Sequence, residues 1–440
     1  MSPLEIGGLV AVATVAVLAT GIPIAFGLAL VATGFLVAFE GLDSLSILAE
    51  TFYASINEFV LVSIPMFILM GAAVANSPAG RDLYAALDRW LWRIPGGLII
   101  ANIGACAVFA ALSGSSPATC AAIGKMGVPE MRSRGVPDAV ATGVIAAGGT
   151  LGILIPPSVT MIVYGIATET SIGRLFLAGV VPGLMLTALF MAWALYASWR
   201  RGLRLRLRET PYSLREKLEV LPRVLPFLSV VLGVLYALYG GVATPSEAAG
   251  VGAALCLLLV VLIYRITDPR RLWRIVSDST RESVMIMMII AASGLFSFML
   301  SSLFVTQSIA GAIAALALPP WALMLVINLF LLVAGFFLPP VAVILMTAPI
   351  LLPIVTEAGF DPYWFAVVFT INMEIGLITP PVGLNLYVLN SIAPEVPLST
   401  VLRGALPFML LMLLGIAILY AFPAIATWLP DLLMGPARFG

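Results

Sequence analysis

Two Pro-Pro pairs interrupt apolar runs that are long enough to span a membrane. The first lies in Gly152-Ile-Leu-Ile-Pro-Pro-Ser158 and the second, in the other half of the chain, in Gly376-Leu-Ile-Thr-Pro-Pro-Val382. Proline lacks a backbone N–H and breaks a helix, so each pair frees carbonyl groups that lipid cannot satisfy. These groups must face protein, water or a ligand, which limits the folds available to the chain.

Composition places both breaks within a membrane protein. The 440 residues are 61% hydrophobic and 10% charged, whereas soluble domains carry about 25% charged residues. We therefore predict an all-α polytopic protein embedded in a lipid bilayer. Lys and Arg number 22, as do Asp and Glu, so charge gives no indication of a nucleic-acid partner. The chain contains no histidine and no phosphate-binding loop, and nothing in its composition indicates an organic cofactor or a transition-metal site.

The two halves are related by one constant offset, the one that takes Gly152 to Gly376. At this offset Pro129 pairs with Pro353 and Gly135 with Gly359, in addition to the matched Pro-Pro positions. Apolar sequences share glycine and alanine by chance, but matched prolines are harder to explain in that way. We expect a structural repeat, with 1–199 as the first unit, 200–223 as a basic linker and 224–440 as the second unit.

Basic residues indicate that the two copies insert in opposite senses. Lys and Arg favour the cytoplasmic end of a membrane segment. Residues 81–95 hold three arginines and their mates, 305–319, hold no charge. Conversely, 43–58 hold no base and their mates, 267–282, hold four arginines. We therefore predict inverted-topology repeats, with the linker at 200–223 in the cytoplasm as a topology anchor rather than a ligand site.

Short apolar segments predict two re-entrant helical hairpins. Residues 96–133 contain two apolar helices around the polar tip at 113–117. Each helix is shorter than the stretch of about 20 residues that spans a bilayer. Residues 321–357 repeat this pattern, with a tip at 335–340. Each hairpin is therefore expected to enter and leave the membrane on the same side.

Broken and ordinary spans complete each repeat. A broken span is predicted after each hairpin, at 138–170 and at 362–392. The other segments predicted are 4–20, 23–40, 44–57, 59–77, 80–95, 174–199, 222–240, 246–264, 283–301, 304–319 and 401–423. Matching breaks in two halves are typical of the binding site of a secondary transporter.

The hairpin tips and helix breaks supply the candidate binding groups. Half-helix C-termini and free carbonyls favour a cation, whereas half-helix N-termini favour an anion such as a carboxylate. Neutral oxygen ligands suit Na⁺. The candidate ion-binding residues are Ser113, Gly114, Ser115, Ser116, Gly149, Gly152, Gly335, Pro339, Gly376 and Thr379. The candidate substrate-binding residues are Ser115, Ser116, Thr119, Ser158, Thr379 and Asn385.

These candidates define two mirrored sodium sites as a hypothesis. One lies between Ser113–Ser116 and a turn at 149–152, and the other between Gly335–Pro340 and Gly376–Thr379. The substrate is expected between them. The alternative for any single Ser or Thr is a hydroxyl bonded to its own i−4 carbonyl.

Two glutamates need separate interpretation. Glu374 lies in an apolar span two residues before Gly376, and an ionisable residue in such a span is a functional hypothesis. It could instead be a structural carboxylate that caps a hairpin amide and holds the break in shape; both alternatives stay open. Glu247, in Thr244-Pro-Ser-Glu247, is predicted to cap the start of a helix.

Motifs spread along the chain together resemble one family. They are Ser63-Ile-Pro-Met-Phe67, Ser113-Gly-Ser-Ser-Pro-Ala-Thr119, Gly152-Ile-Leu-Ile-Pro-Pro-Ser158, Ala243-Thr-Pro-Ser-Glu-Ala-Ala249, Gly359-Phe-Asp-Pro362 and Gly376-Leu-Ile-Thr-Pro-Pro-Val-Gly383. This set resembles the large membrane subunit of tripartite ATP-independent periplasmic (TRAP) transporters.

The resemblance implies a multi-pass importer in the inner membrane of a bacterium or archaeon. It implies a Na⁺ gradient as the driving force, two or more sodium ions at the hairpin tips, and an elevator movement of a transport domain against a scaffold. It also implies a small organic acid as substrate and two partners: a small four-helix membrane subunit and a periplasmic substrate-binding protein. Because the chain starts at the first helix of the large subunit, the small subunit is expected as a separate chain.

Three other classes compete with this interpretation. A stand-alone carrier or anion exchanger would need no binding protein. A membrane enzyme would need a reactive pair of side chains, and Glu374 has no obvious partner in its motif. A channel would need a continuous pore, whereas two different hairpins argue for alternating access.

Overall fold

The computed structural model describes residues 1–91, 96–200, 212–316 and 318–436. Parts of the predicted first arm (92–95) and of the basic linker (201–211) lie outside these ranges. The helices of the first half are α1 (Pro3–Ala19), α2 (Ile24–Glu40), α3 (Leu45–Ile56), α4 (Ser63–Ala75), α5 (Ala79–Leu91), α6 (Gly97–Ser113), α7 (Ser116–Ser133), α8 (Asp138–Leu154), α9 (Val159–Ala167) and α10 (Ile172–Arg200). Those of the second half are α11 (Leu214–Tyr239), α12 (Pro245–Tyr264), α13 (Pro269–Ser302), α14 (Val305–Ala315), α15 (Pro320–Phe337), α16 (Pro340–Glu357), α17 (Pro362–Leu377), α18 (Leu384–Ile392), α19 (Leu398–Ala421) and α20 (Ala424–Met434).

The fold is all-α and polytopic, as predicted. In the described residues, seven helices are long and apolar enough to cross a membrane, or up to nine if each of two bent pairs is one span. One bent pair is α8 with α9, at 42°. The other joins α4 to the segment that contains α3, at 58°.

Helix bounds follow the same offset that relates the two Pro-Pro pairs. Moved by that offset, α7 coincides with α16, and α9 coincides with α18 to within one residue. The peptide bond inside each Pro-Pro pair is cis. The elements α5–α10 of the first half thus recur in the same order as α14–α19 of the second. The opposite insertion of the two halves stays a prediction from charge.

Local sequence explains where the broken helices stop and restart. α8 ends at Leu154 because Ile155 precedes a proline, which disfavours the helical conformation, and it is extended with φ −83° and ψ 121°. Ser158 then caps α9 by accepting a hydrogen bond from the Met161 amide at 3.2 Å. The predicted cap of α12 is confirmed, since Thr244 and Glu247 form a reciprocal capping box.

The second repeat departs from the predicted segments in two places. α13 is one helix of 34 residues, whereas the sequence predicted a span only at 283–301. In the first repeat the corresponding chain breaks at Asn57; its mate is Arg281, which has a higher helix propensity and lets the helix continue. α20 was not predicted; it follows Pro423, and Arg174 anchors it through an ion pair with Asp431 at 3.2 Å.

The predicted linker extends too far towards the C-terminus. α11 begins at Leu214, inside the interval 200–223, because Ser213 and Glu216 form a capping box there.

Two groups of helices bring the breaks together. α8 and α17 form the centre of one group, and every residue from Ala141 to Leu154 and from Pro362 to Leu377 is buried. α18 packs on α7 and α9 packs on α16, so each broken helix also reaches the hairpin of the other repeat. In the other group, α4 packs against α12 and α13, and α2 packs against α13.

Candidate functional site

The first hairpin turns at Gly114 and Ser115, between α6 and α7. Gly114 has a φ of +60°, which favours glycine, and a Cβ there would lie 2.8 Å from the Pro157 carbonyl oxygen. The tip of the first hairpin therefore lies directly against the break between α8 and α9.

Glycine also permits close packing on the helical side of each break. A Cβ on Gly152 would lie 2.9 Å from the Ser115 carbonyl oxygen, and a Cβ on Gly376 would overlap the Gly335 carbonyl group. The Val382 amide donates a hydrogen bond to the Phe336 carbonyl at 3.3 Å. Each hairpin thus packs on the break of its own repeat.

One detail of the predicted first sodium site is wrong. Gly149 and Gly152 do not form a turn: both lie inside α8, and the chain leaves the helix only at Ile155. The physical reason is that glycine weakens a helix without ending it, whereas the two prolines end it. In the second hairpin, likewise, Gly335 is the third-last residue of α15, and the turn itself is Leu338 with Pro339.

Several predicted hydroxyl groups make local hydrogen bonds. Thr119 Oγ1 donates to the Ser115 carbonyl at 2.9 Å, and Thr379 Oγ1 donates to the Ile375 carbonyl at 2.6 Å. Ser113 Oγ lies 2.8 Å from Thr119 Oγ1. Both threonines therefore make the i−4 bond that was the alternative for each hydroxyl, but each oxygen keeps lone pairs that can accept or coordinate.

Asn385 joins the second broken helix to the first repeat. Its side chain is fully buried, and Nδ2 donates to the Ala146 carbonyl of α8 at 3.2 Å. A Cβ on Gly149 would lie 3.2 Å from this Nδ2 and 3.1 Å from the Ser116 carbonyl oxygen. Among the described residues, Asn385 Oδ1 has no hydrogen-bond partner. Asn385 and Gly149 therefore meet at the junction of the two repeats.

Glu374 contacts the hairpin of the other repeat. The Ser116 hydroxyl, 258 residues away, donates to its two carboxylate oxygens at 2.8 and 2.9 Å. Both side chains are buried. The sequence suggested a hairpin amide as partner, whereas the observed partner is a hydroxyl at the first residue of α7.

A cavity of about 770 Å³ lies between the two groups of helices. The hairpin tips contribute Ser113, Gly114, Ser115, Pro339 and Pro340 to its walls, and α2, α4 and α13 form the opposite side. Of the predicted substrate-binding residues, Ser115 borders this cavity. The others do not border it: Ser116, Thr119, Ser158, Thr379 and Asn385.

Sequence analysis missed the acidic and amide side chains of the cavity wall. Asp278 and Glu282 of α13 and Asn76, directly after α4, border the cavity, and no Lys or Arg does so in the described part of the chain. The spacing of four residues places the two acids on one helix face and was the available signal. The four arginines in the same segment, 267–282, dominate its charge pattern and obscure this signal.

A second polar contact was also missed, between α15 and α17. Asn372 Nδ2 donates to Asn328 Oδ1 at 2.6 Å, which ties the second hairpin to its broken helix. Asparagines in apolar helices are a usable signal for such contacts, because interhelical hydrogen bonds satisfy them.

Paired hairpins and paired broken helices around one cavity define a class, that of polytopic secondary transporters. A solved structure of the same fold, the YdaH transporter of Alcanivorax borkumensis, covers 91% of this chain and 91% of its own with a TM-score of 0.63 and 15% identity. Residues 11–425 match the family model described as "Tripartite ATP-independent periplasmic transporter, DctM component". The chain belongs to this family.

Named relatives agree with the family match. The C4-dicarboxylate TRAP transporter large permease protein DctM of Pseudomonas aeruginosa is 40% identical over 393 residues, which are 88% of this chain and 90% of that protein. The isethionate TRAP transporter permease protein DctMQ of Oleidesulfovibrio alaskensis is 35% identical over 93% of this chain and 64% of that protein. The resemblance found in the sequence is thus confirmed.

Family membership confirms two of the predicted properties, the class of protein and its location. The chain is a permease subunit of a transport system and not an enzyme. It is a multi-pass protein of the inner membrane.

Proposed function

We propose that this chain carries a small organic acid across the inner membrane, driven by a Na⁺ gradient. The observation that carries the proposal is the meeting of both hairpin tips with both helix breaks beside one cavity of about 770 Å³. Moving one charge through 100 mV yields about 2.3 kcal/mol, so two or more sodium ions can drive the uptake of an anion.

Backbone and hydroxyl oxygens support sodium as the coupling ion. The Ser115 and Gly335 carbonyls lie where each tip meets its break, and the Ser113 and Thr119 hydroxyls lie beside the first. These are neutral oxygen donors, which suit a hard cation. The two proposed sites retain the residues predicted for them, with Gly149 and Gly152 as helical neighbours rather than turn residues.

Anion binding would rest on helix N-termini rather than basic side chains. Pro117 and Ala118 at the start of α7, and Pro340 and Val341 at the start of α16, border the cavity. Backbone N–H groups at such ends attract carboxylates. The O. alaskensis relative is named for isethionate, a small sulfonate, and the P. aeruginosa relative for C4-dicarboxylates. Small organic anions are therefore the proposed substrate class, and C4-dicarboxylates are the first to test.

The two groups of helices support an elevator mechanism. Hairpins and broken helices would move as a transport domain against the scaffold of α2, α4, α12 and α13, with the cavity between them. The proposed partners are a small four-helix membrane subunit and a periplasmic binding protein that delivers the acid. The DctMQ relative is longer than this chain, as expected of a permease that holds both membrane subunits in one polypeptide.

Uptake into proteoliposomes tests this function. The complex of this chain with its small subunit is reconstituted, the periplasmic binding protein is added, and entry of labelled succinate and malate is followed. We expect uptake with an inward Na⁺ gradient and background uptake when K⁺ replaces Na⁺. Equal uptake in both salts would overturn sodium coupling, and equal uptake without the binding protein would favour the stand-alone carrier.

Aspartate substitutions at the tips test the sites themselves. Ser115→Asp and Gly335→Asp place a carboxylate beside each proposed ion and should change the sodium concentration that gives half-maximal uptake. Thr356→Asp, at the exposed far end of α16, is the matched control and should not change it. Unchanged sodium dependence in both tip variants would contradict the proposed placement.

A further inference from the structure

Glu374 lies on α17, a helix that contacts both hairpins through residues close together in sequence. Two residues along α17, Gly376 packs on the Gly335 carbonyl of the second hairpin. In the other direction across the core, the Glu374 carboxylate accepts a hydrogen bond from Ser116 in the first hairpin. One short segment of α17 therefore connects the two tips.

The environment of Glu374 shows that this contact is specific. The residue is 1% exposed, and in the described part of the chain no ion pair involves it and Ser116 is its one side-chain donor. A buried carboxyl group with so few partners is costly. An apolar residue could fill this position without that cost. We therefore expect the carboxyl group to have a role beyond packing.

The repeat shows that the fold does not require the contact. The mate of Glu374 in the first half is Thr150, whose hydroxyl bonds the Ala147 carbonyl of its own helix at 2.6 Å. The mate of Ser116 is Pro340, which has no hydroxyl group to donate. The link therefore exists in one direction only, from the second broken helix to the first hairpin.

We infer that Glu374 is a positioning residue that couples the two sodium sites through Ser116, an inference that rests on the proposed function. An ion at the second tip holds the end of α17 against Gly335, and this fixes the Glu374 carboxylate. The carboxylate holds Ser116 at the start of α7, and Ser116 is the last residue of the Ser113–Ser116 tip that forms the first site. Binding at either site consequently favours binding at the other, as thermodynamic linkage requires.

A sodium titration of uptake tests the coupling. The wild-type complex should show a Hill coefficient for Na⁺ clearly above one. Glu374→Gln keeps a carbonyl oxygen that can accept from Ser116 and should titrate like the wild type. Glu374→Ala and Ser116→Ala should both lower the Hill coefficient towards one and raise the half-maximal sodium concentration about fivefold or more, since coupling between sites is typically of that size.

A double-mutant cycle distinguishes loss of coupling between the sodium sites from a general loss of stability. Because Glu374 and Ser116 act through each other, Glu374→Ala with Ser116→Ala should be no worse than either single change. Thermal unfolding of the purified complex supplies the second readout. A merely structural role would lower the unfolding midpoint without sodium and leave the Hill coefficient unchanged.

The outcomes distinguish this inference from the proposed function. Wild-type uptake that ignores sodium would overturn both. Sodium-driven uptake with a Hill coefficient of one in the wild type, or with wild-type cooperativity in Ser116→Ala, would overturn the coupling alone. If Glu374→Ala does not fold, Ser116→Ala compared with Glu374→Gln decides the matter.

Discussion

At the scale of single residues, the contact between Gly376 and Gly335 sets how closely the second hairpin approaches its break. A Cβ at position 376 would overlap the Gly335 carbonyl group, which is backbone and has no rotamer to change. Overpacking of a buried contact typically costs about 1–3 kcal/mol. The hairpin must therefore move away from the break if any side chain is added.

We predict that Gly376→Ala lowers sodium-driven uptake about tenfold, because a cost of about 1.4 kcal/mol, within that range, corresponds to a factor of ten. The measurement is the initial uptake rate in proteoliposomes, normalised to the reconstituted protein. Gly250→Ala in α12 is the matched control, since a Cβ there meets nothing within 4 Å. Wild-type uptake by Gly376→Ala would show that the tip and the break need not touch.

The residue scale also shows what the sequence could predict and what it could not. A carboxylate inside an apolar span marked Glu374 as unusual, and the Pro-Pro pair marked its neighbourhood. Its partner Ser116 is 258 residues away and contacts it only after two repeats have folded together. No local sequence pattern indicates a contact between residues so far apart in the chain. The capping box of Thr244 and Glu247 was predictable because it is contained within one helical turn.

At the scale of helices, α13 contributes an acidic strip to a cavity that is proposed to receive an anion. Asp278 and Glu282 border the cavity without any Lys or Arg in the described part of its wall. Like charges repel, and salt at physiological strength screens this repulsion over about 8 Å.

We predict that Asp278→Asn with Glu282→Gln lowers the half-maximal substrate concentration about two- to fivefold at low ionic strength, and less at high ionic strength, because screening already weakens the repulsion there. The assay is substrate-dependent uptake at constant Na⁺, with choline chloride setting the ionic strength. Glu357→Gln at the end of α16, which does not border the cavity, should leave the value unchanged. A salt-independent effect would contradict an electrostatic cause.

The end of α7 is tied to the loop after α18 by an ion pair. Arg132 pairs with Asp138 at 2.8 Å and with Glu395 in that loop. A hydrogen bond from its own backbone amide, followed by one from Arg132, lowers the pKa of Glu395 below its ordinary value. A lowered carboxyl pKa gives stability that is complete above the unfolded value, about 4.3, and is lost as pH falls through the lowered pKa.

We therefore predict that Glu395→Gln lowers the unfolding midpoint slightly at pH 7 and has no effect once the pH falls well below about 4.3. The effect is small because the pair is exposed to solvent. Differential scanning fluorimetry of wild type and variant between pH 7 and pH 3.5 measures it. A difference that grows towards acid pH would contradict the sign.

Helix boundaries, too, could be predicted from the sequence only where neighbouring residues determine them. The two hairpins and two broken helices were predicted to within a few residues, because proline and glycine act on the backbone where they stand. The extension of α13 beyond the predicted span at 283–301 was missed, because Arg281, the mate of Asn57, does not break the helix. A repeat conserves the fold of a segment only where the residues that break the helix are conserved as well.

At the scale of the whole molecule, the cavity lies between the proposed transport domain and the proposed scaffold. The elevator mechanism requires the transport domain to move while the scaffold stays in place. Met285 of α13 and Val341 of α16 border the cavity from the two sides, and α13 packs against α16. The three native cysteines are buried and free. Introduced cysteines on the two walls can therefore be cross-linked with little background.

We predict that Met285→Cys with Val341→Cys, treated with a cleavable bifunctional thiol reagent, loses sodium-driven uptake to background and recovers it on reduction. A covalent bridge between the two groups prevents one from moving past the other, and alternating access by an elevator requires that movement. The bridged protein should still bind Na⁺, which its thermal shift in sodium would report, because both hairpins keep their contacts with their own breaks.

The control pair uses the same residue of α13 with a partner on its own side of the cavity. Met285→Cys with Ala72→Cys joins α13 to α4, two helices that pack together and both belong to the proposed scaffold. A bridge there restrains nothing that an elevator must move, so uptake should survive the reagent. If the α13–α16 bridge leaves transport intact, the hairpins do not travel against α13, and a rocking or local gating movement would have to replace the elevator.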